Sequence, residues 1–379
     1  MFEGLSFEPA ELPLKAEALR SEVREFIELQ LPEGYERNSD FNEGHSPSFS
    51  TALGEKGWIG MTWPKKYGGA ERTFFERYVV TEELLAAGAP VSAHWIADRQ
   101  SGPLMLKYGT EAQRMKYLPG IVRGESYFSI GMSEPDSGSD LASVRTRATE
   151  VGGGWVVNGT KLWSTDAHRN QYMIALVRSE PPGQNRHAGL SQVLVDLKGE
   201  GVSVRPIVNI AGDEDFNEVV FTDYFVSSDE VIGEPGNGWD QVTSELGYER
   251  SGPERFLSAF RVFVEFVRLA GPQSDPAAVD LIGRLASHII TLRQMSISVA
   301  AMLQDGKNPA TEAALVKSLG NDFEKQLPEL VRLVMPRLES THPLRLALEK
   351  TLLHAPSFTI RGGTREILRG VIARGLGLR

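Results

Sequence analysis

Cysteine is absent from this chain of 379 residues. That absence excludes a disulfide framework, a thiolate-ligated metal and a cysteine nucleophile. Basic residues are outnumbered by acidic ones. The chain has 40 Lys and Arg and 50 Asp and Glu, which gives a formal net charge of -10. A nucleic-acid partner is not expected, since neutralising phosphates requires clustered Lys and Arg. Redox chemistry in such a chain belongs to a cofactor.

Long apolar runs are missing as well. No stretch approaches the ~18 uninterrupted apolar residues that span a membrane, and residues 1–5 do not open a targeting segment. The seven histidines show no pairing at metal-ligand spacing, so no metal site is expected. Hydrophobic content of 41% and charged content of 24% are typical of globular proteins. Composition and length together predict a multi-domain cytoplasmic enzyme.

The hydrophobic period changes twice along the chain. Helical spacing, as between Val23 and Ile27 or between Leu281 and Leu285, marks the two ends. The middle has the alternation and turn residues of strands, which are predicted at residues 172–177, 191–197, 202–207 and 219–224. Two further strands flank Asn158-Gly159, a pair that supplies positive φ, so a tight hairpin is expected there. The predicted order is helices, sheet, helices.

Two segments of the middle region have the residue types of a flavin site. The run from Ser133 to Asp140 contains several hydroxyl groups and a glycine, which lets the backbone N–H groups turn toward a ligand. Such a segment can bind a flavin edge and a pyrophosphate. Taken alone, it is equally typical of a polar turn. Further on, the Trp163 indole can cover one face of an isoalloxazine while the Thr165 hydroxyl reaches its polar edge. A core tryptophan is the alternative.

Four motifs in order resemble those of the acyl-CoA dehydrogenase family. They are Trp63-Pro64-Lys65-Lys66-Tyr67-Gly68-Gly69, the Ser133 to Asp140 run, Asn158-Gly159-x-Lys161-x-Trp163-x-Thr165, and the segment 231–239. The resemblance implies an α+β fold: an N-terminal helical domain (1–125), a central antiparallel β-barrel-like domain (126–235) and a C-terminal four-helix bundle (236–379), with FAD between the last two. Such enzymes remove the α-proton of an acyl-CoA thioester while the β-hydrogen leaves as hydride to the flavin.

The resemblance also implies individual roles. Carried over residue by residue, the cofactor-binding set is the Met132 backbone, Ser133, Ser139 (near the thioester tail), Trp163, Thr165 and Thr364. The usual catalytic glutamate is replaced by Gly362, whose backbone N–H can still donate to the thioester oxygen. A minority of the family, such as isovaleryl-CoA dehydrogenase, places the base on a helix in a Glu-Arg pair. Glu249-Arg250 matches that pair, so we predict Glu249 as the base. The alternatives are a surface carboxylate at this position or Glu254.

Two family segments that reach the dimer partner's FAD are missing. Where Arg-x-x-Phe-Gly and Gln-x-x-Gly-Gly-x-Gly should fall, the chain has residues 271–276 and 334–343, which match neither. This loss resembles one subunit of bacterial α2β2 acyl-CoA dehydrogenases that act on steroid side chains. A paralogous partner is therefore expected, with a homo-oligomer as the alternative. The electron acceptor stays open.

The predicted function is FAD-dependent α,β-dehydrogenation of an acyl-CoA thioester with a bulky or branched acyl group, a steroid side chain being one option. Two alternatives remain. The chain is a non-catalytic partner subunit of a heteromeric dehydrogenase, as Gly362 alone suggests, or it is a flavin oxidase or monooxygenase on the same fold.

Overall fold

The computed structural model describes residues 5–38, 40–181, 183–271 and 275–378, and only the backbone of residues 245–249. The chain forms two compact units. The helical unit comprises residues 1–43, 72–90 and 247–379, and the sheet unit comprises residues 44–71 and 91–246.

The α-helices of the described chain are α1 (Leu14–Gln30), α2 (Pro47–Glu55), α3 (Phe74–Ala86), α4 (Ser92–Ile96), α5 (Gly102–Tyr108), α6 (Glu111–Val122), α7 (Gly238–Glu249), α8 (Phe260–Leu269), α9 (Pro276–Gln304), α10 (Ala310–Val334), α11 (Pro343–Phe358) and α12 (Arg365–Gly375). The strands are β1 (Phe128–Gly131), β2 (Arg147–Val151), β3 (Gly154–Thr165), β4 (Tyr172–Arg178), β5 (Leu190–Asp196), β6 (Val202–Ile207), β7 (Phe216–Ser227) and β8 (Val231–Ile232).

In the helical unit, the predicted helical stripes face the interior. Val23 and Ile27 are buried on α1, which ends before Pro32 because the residue preceding a proline is disfavoured in the α region. Helices α8 to α11 share one apolar core, containing Phe266, Leu281, Leu285, Phe323, Leu327, Leu344 and Leu348. The helix predictions at both ends of the chain are confirmed. Among the described helices, none is both long and apolar enough to cross a membrane.

In the sheet unit, seven strands follow the order β6-β7-β3-β2-β4-β5-β8, and β1 pairs with β4. The pairings are antiparallel except those of β1 with β4 and of β2 with β4. The four strands predicted at residues 172–177, 191–197, 202–207 and 219–224 correspond to β4, β5, β6 and part of β7. The α+β fold class is confirmed, with the strands following one set of helices and preceding another along the chain.

The hairpin predicted at Asn158-Gly159 is wrong. Strand β3 continues through both residues, with a register shift against β7 just before Gly159. The side chain of Asn158 is bonded to Asp223 on β7: the Asp223 N–H donates to Asn158 Oδ1 at 2.9 Å, and Asn158 Nδ2 donates to Asp223 Oδ1 at 3.0 Å. These bonds make the dipeptide a bulge instead of a turn. The tight turn lies at residues 152–153, between β2 and β3.

Candidate active site

The end of β3 presents Trp163 in an uncommon conformation. Its φ is +66°, and the β3–β7 register shifts between Lys161 and Ser164. Positive φ is rare for a residue with a side chain, and a bulge redirects the side chains around it. The indole is 55% exposed and meets the Phe216 ring edge-on at 6.2 Å. The alternative of a core tryptophan is therefore wrong, because more than half of the ring is exposed.

Ser133 and Thr165 lie near the same end of the sheet, with their backbones fixed. The Leu162 N–H donates to the Ser133 carbonyl at 2.9 Å, and Ser129 Oγ donates to the Thr165 carbonyl at 2.7 Å. Both residues are half-buried. Within the described part of the chain, neither hydroxyl has a hydrogen-bond partner. Two oriented hydroxyl groups next to an exposed indole fit the polar edge of an isoalloxazine.

A buried ion pair holds the segment that contains Met132 and Ser133. Lys161 Nζ donates to the Met132 carbonyl at 3.1 Å and to Glu134 Oε1 at 2.8 Å. The same carboxylate accepts the N–H groups of Arg145 (2.6 Å) and Thr146 (2.9 Å). Burial lowers the pKa of Lys161 to about 8. Burial works to raise the pKa of Glu134, but the Lys161 charge and the donated hydrogen bonds outweigh it and hold that pKa below its ordinary value.

The polar loop after Ser133 is closed by its own hydrogen bonds on both sides of Ser139. The backbones of Glu134 and Ser137 exchange hydrogen bonds of 2.8 and 3.1 Å, and Ser137 Oγ donates to the Asp140 carbonyl at 2.7 Å. Ser139 follows on an exposed stretch. Its proposed contact with a ligand would therefore be made at the surface of the loop.

In the helical unit, Gly362 and Gly363 form a turn with φ values of +61° and +102°. Glycine adopts such values at no steric cost, whereas a glutamate would be strained there. Arg250 Nε donates to the Gly362 carbonyl at 3.2 Å, and Lys317 Nζ donates to the Gly363 carbonyl at 2.8 Å. Thr364 caps α12, because its hydroxyl accepts the N–H of Ile367. In this unit, Thr364 acts as a helix cap at the turn that contains Gly362.

Arg361, directly before the turn, is anchored inside the helical unit. Its guanidinium bonds to Asp40 Oδ1 at 2.5 Å and to Glu324 Oε2 at 3.1 Å. It also lies over the rings of Phe41 and Phe358, at 4.8 and 4.7 Å. Burial raises the pKa of Glu324, against the opposing effect of the Arg361 charge. Stacking combined with charge pairing fixes a guanidinium strongly.

The predicted base is the last residue of α7, and the side chain of Glu249 lies outside the described residues. The next residue, Arg250, is described, and its Nε donates to the Gly362 carbonyl. The alternative base, Glu254, is buried in a 3₁₀ turn with Oε1 4.0 Å from Arg255 Nε. The Arg250 side chain therefore reaches the glycine turn, and the role of Glu249 as the base stays a prediction.

Sequence reasoning missed the residues that hold these segments, namely Glu134, Lys161, Lys317 and Arg361. The available signal was a lysine inside an apolar period. Lys317 follows Ala314-Leu315-Val316 on α10, and Lys161 is buried between the half-buried Thr160 and Leu162 on β3. A lysine in a buried register requires a partner.

The chain matches known proteins along nearly its whole length. Profiles of the acyl-CoA dehydrogenase N-terminal, middle and C-terminal domains match residues 14–125, 129–224 and 236–377. The chain is 33% identical to acyl-CoA dehydrogenase IpdE1 of Mycobacterium tuberculosis over 354 residues, which cover 91% of this chain and 89% of that protein.

Two solved structures have a similar fold. The ChsE4-ChsE5 complex from Mycobacterium tuberculosis contains a chain 28% identical, with a TM-score of 0.84 over 97% of this chain and 99% of that one. The Tcur3481-Tcur3483 steroid ACAD contains a chain 27% identical, with a TM-score of 0.86 over 99% of both. The chain therefore belongs to the acyl-CoA dehydrogenase family, and the predictions of this family's fold and of an oxidoreductase are confirmed.

Proposed function

We propose that the chain catalyses FAD-dependent α,β-dehydrogenation of an acyl-CoA thioester, with Glu249 as the base. The observation that carries this proposal is the bond from Arg250 Nε to the Gly362 carbonyl. It supports placing the residue next to Arg250 at the turn from which the usual glutamate has been lost.

FAD fits the residues of the sheet unit. The exposed Trp163 indole would cover one face of the isoalloxazine ring. Ser133, Thr165 and the Met132 backbone would form hydrogen bonds with the polar edge of that ring. Ser139 and Thr364 complete the proposed set. The chemistry that FAD would supply there is acceptance of the β-hydrogen as hydride.

The chain's own residues would deal with the α-proton. This proton is too weakly acidic to be lost to water, so a carboxylate must be held against it while negative charge on the thioester oxygen is stabilised. Glu249 would take the proton, and the Gly362 N–H would donate to the oxygen. The backbone of the turn favours a base outside it, because a glutamate at the φ of Gly362 would be strained.

For the substrate, we propose a bulky or branched acyl group, with a steroid side chain as the first class to test. A glycine at position 362 removes side-chain volume beside the reacting carbons. One similar solved structure is described as a steroid ACAD. Both points favour a wide acyl site over one that fits a straight chain.

We propose a paralogous subunit as the partner, in an α2β2 assembly. Both similar solved structures are named as pairs of different chains. Of the two segments that differ from the family, residues 272–274 lie outside the described residues, and residues 335–342 lie between α10 and α11. Large apolar side chains are exposed on the helical unit, including Val279, Ile290, Leu333, Leu346 and Leu353. A subunit contact would cover such side chains if they form a contiguous patch.

The test is an anaerobic titration of the chain co-purified with its paralogue. Addition of a steroid side-chain CoA ester should bleach the visible flavin absorbance at one equivalent per FAD. Bleaching by the paralogue alone, unchanged by this chain, would contradict catalysis by this chain and favour a non-catalytic subunit. Turnover that releases hydrogen peroxide without an added acceptor would favour an oxidase.

A further inference from the structure

Three buried cations hold the turn at residues 361–363. Arg361 is anchored by its own guanidinium, while Arg250 and Lys317 bond to the two glycine carbonyls. The proton-transfer scheme above gives Lys317 no role. This residue nevertheless makes the shorter of the two carbonyl bonds, at 2.8 Å.

Lys317 is built into the interior of the helical unit. Its side chain on α10 is 0% exposed. With the Asn321 amide oriented to satisfy its neighbours, Lys317 Nζ donates to Asn321 Oδ1 at 3.2 Å and Asn321 Nδ2 donates to the Phe358 carbonyl at 3.0 Å. Phe358 is the last residue of α11. Because burying an ammonium is costly unless it is bonded, this position indicates a specific task for Lys317.

The geometry of the peptide bond shows what the carbonyl bonds achieve. In a trans peptide, the C=O and N–H groups point in opposite directions. Holding the Gly363 carbonyl toward Lys317 therefore turns the Thr364 N–H away from Lys317, and holding the Gly362 carbonyl toward Arg250 turns the Gly363 N–H away from Arg250. Among the described residues, no hydrogen bond is donated by the N–H groups of Gly362 or Thr364. Two successive glycines would otherwise be the most mobile backbone available.

We propose that Lys317 is a positioning residue for the dehydrogenation, because its bond to the Gly363 carbonyl restrains the glycine turn that carries the Gly362 N–H. This inference rests on the proposed function, in which the Gly362 N–H donates to that oxygen. Lys317 acts through the backbone and touches no substrate atom. Hydrogen bonds to this oxygen strengthen as charge develops, so loosening them should lower kcat more than it changes KM.

The test compares Lys317→Met with Lys350→Met. Lys350 Nζ, on α11 of the same unit, bonds to Glu43 Oε2 at 2.7 Å and makes no bond to the turn. In the complex with the paralogue, Lys317→Met should lower kcat about tenfold or more, with KM changed by less than about twofold. Lys350→Met should leave both constants within about twofold of the wild type. Equal kcat values for the two variants would overturn the proposal.

A second measurement needs neither cofactor nor substrate. Amide hydrogen exchange in a peptide covering residues 359–366 should be faster in Lys317→Met than in Lys350→Met. Equal exchange would show that Lys317 does not hold the turn. If Lys317→Met does not fold, Lys317→Gln replaces it, since the glutamine is neutral and shorter, and the same outcomes apply.

The two proposals can fail separately. If the wild-type complex oxidises no acyl-CoA, the proposed function fails, and the hydrogen-exchange comparison still decides whether Lys317 fixes the turn. If the complex is active and kcat does not respond to Lys317→Met, only the positioning role fails.

Discussion

Lys161 and Glu134 form an ion pair of 2.8 Å in which the lysine side chain is fully buried and the glutamate is 7% exposed. The pair connects β3 to the loop that contains Ser133, because Lys161 also bonds to the Met132 carbonyl. Met132 and Ser133 are proposed to meet the flavin, so the ion pair should affect both stability and cofactor retention.

Removing Lys161 alone should lower the free energy of unfolding more than removing both partners of the ion pair. Lys161→Met leaves a buried carboxylate without its counter-charge, which costs about 3–5 kcal/mol of the free energy of unfolding, and Glu134→Gln should have a smaller effect of the same sign. The double variant should be more stable than Lys161→Met. Urea unfolding of the three variants measures this. Strictly additive losses would contradict the coupling.

The pH dependence of stability should reveal the same lysine. The pKa of Lys161 is about 8 in the folded chain and near 10.5 when unperturbed. Between these values the unfolded chain binds more protons, so this group's contribution to the free energy of unfolding rises with pH. Relative to the double variant Lys161→Met/Glu134→Gln, the wild type should gain stability from about pH 8 to about pH 10. A flat or falling difference would contradict the assigned shift.

Replacing Trp163 should separate stability from cofactor binding. Its indole is 55% exposed and its φ is +66°, so Trp163→Gly removes little packing and relieves backbone strain. We expect the free energy of unfolding of the apoprotein to stay within about 1 kcal/mol of the wild type. FAD retention during gel filtration should be lost. Retention equal to that of the wild type would exclude the ring as a flavin contact.

Adding a side chain to the glycine turn should lower the free energy of unfolding. At φ +61°, Gly362→Ala should cost about 1 kcal/mol of the free energy of unfolding. Gly370→Ala is the matched control, because Gly370 lies in α12 with open space where the alanine Cβ would lie, and it should gain up to about 1 kcal/mol. Thermal unfolding compares the two. A stabilising Gly362→Ala would show that the turn does not require glycine.

The fold was predictable where local periods decide it. Apolar spacing gave the helices at both ends, and alternation with turn residues gave β4 to β7. The prediction of a hairpin at Asn158-Gly159 was wrong because the conformation there depends on a bond to Asp223, 65 residues away. Turn preferences consider only neighbouring residues and so cannot include such a bond. The three domain boundaries remain predictions.

The candidate site was predictable only in part. Trp163 and Thr165 follow from their motif, and the exposed ring agrees with a ligand-binding role. The residues that fix the turn could not be found from spacing, because Arg361 reaches Asp40 across 321 positions and Lys317 reaches Gly363 across 46. A buried charge is defined by its partner, and the partner is set by tertiary packing.

The central claim is that the base has moved from the loop to the end of α7. The direct measurement is anaerobic single-turnover reduction of the flavin in the complex, with Glu249→Gln compared with Glu329→Gln, an exposed helical carboxylate paired with Arg332. We predict that Glu249→Gln retains FAD and loses reduction by at least about a thousandfold, while Glu329→Gln reacts like the wild type. Flavin reduction at the wild-type rate in Glu249→Gln would contradict the account.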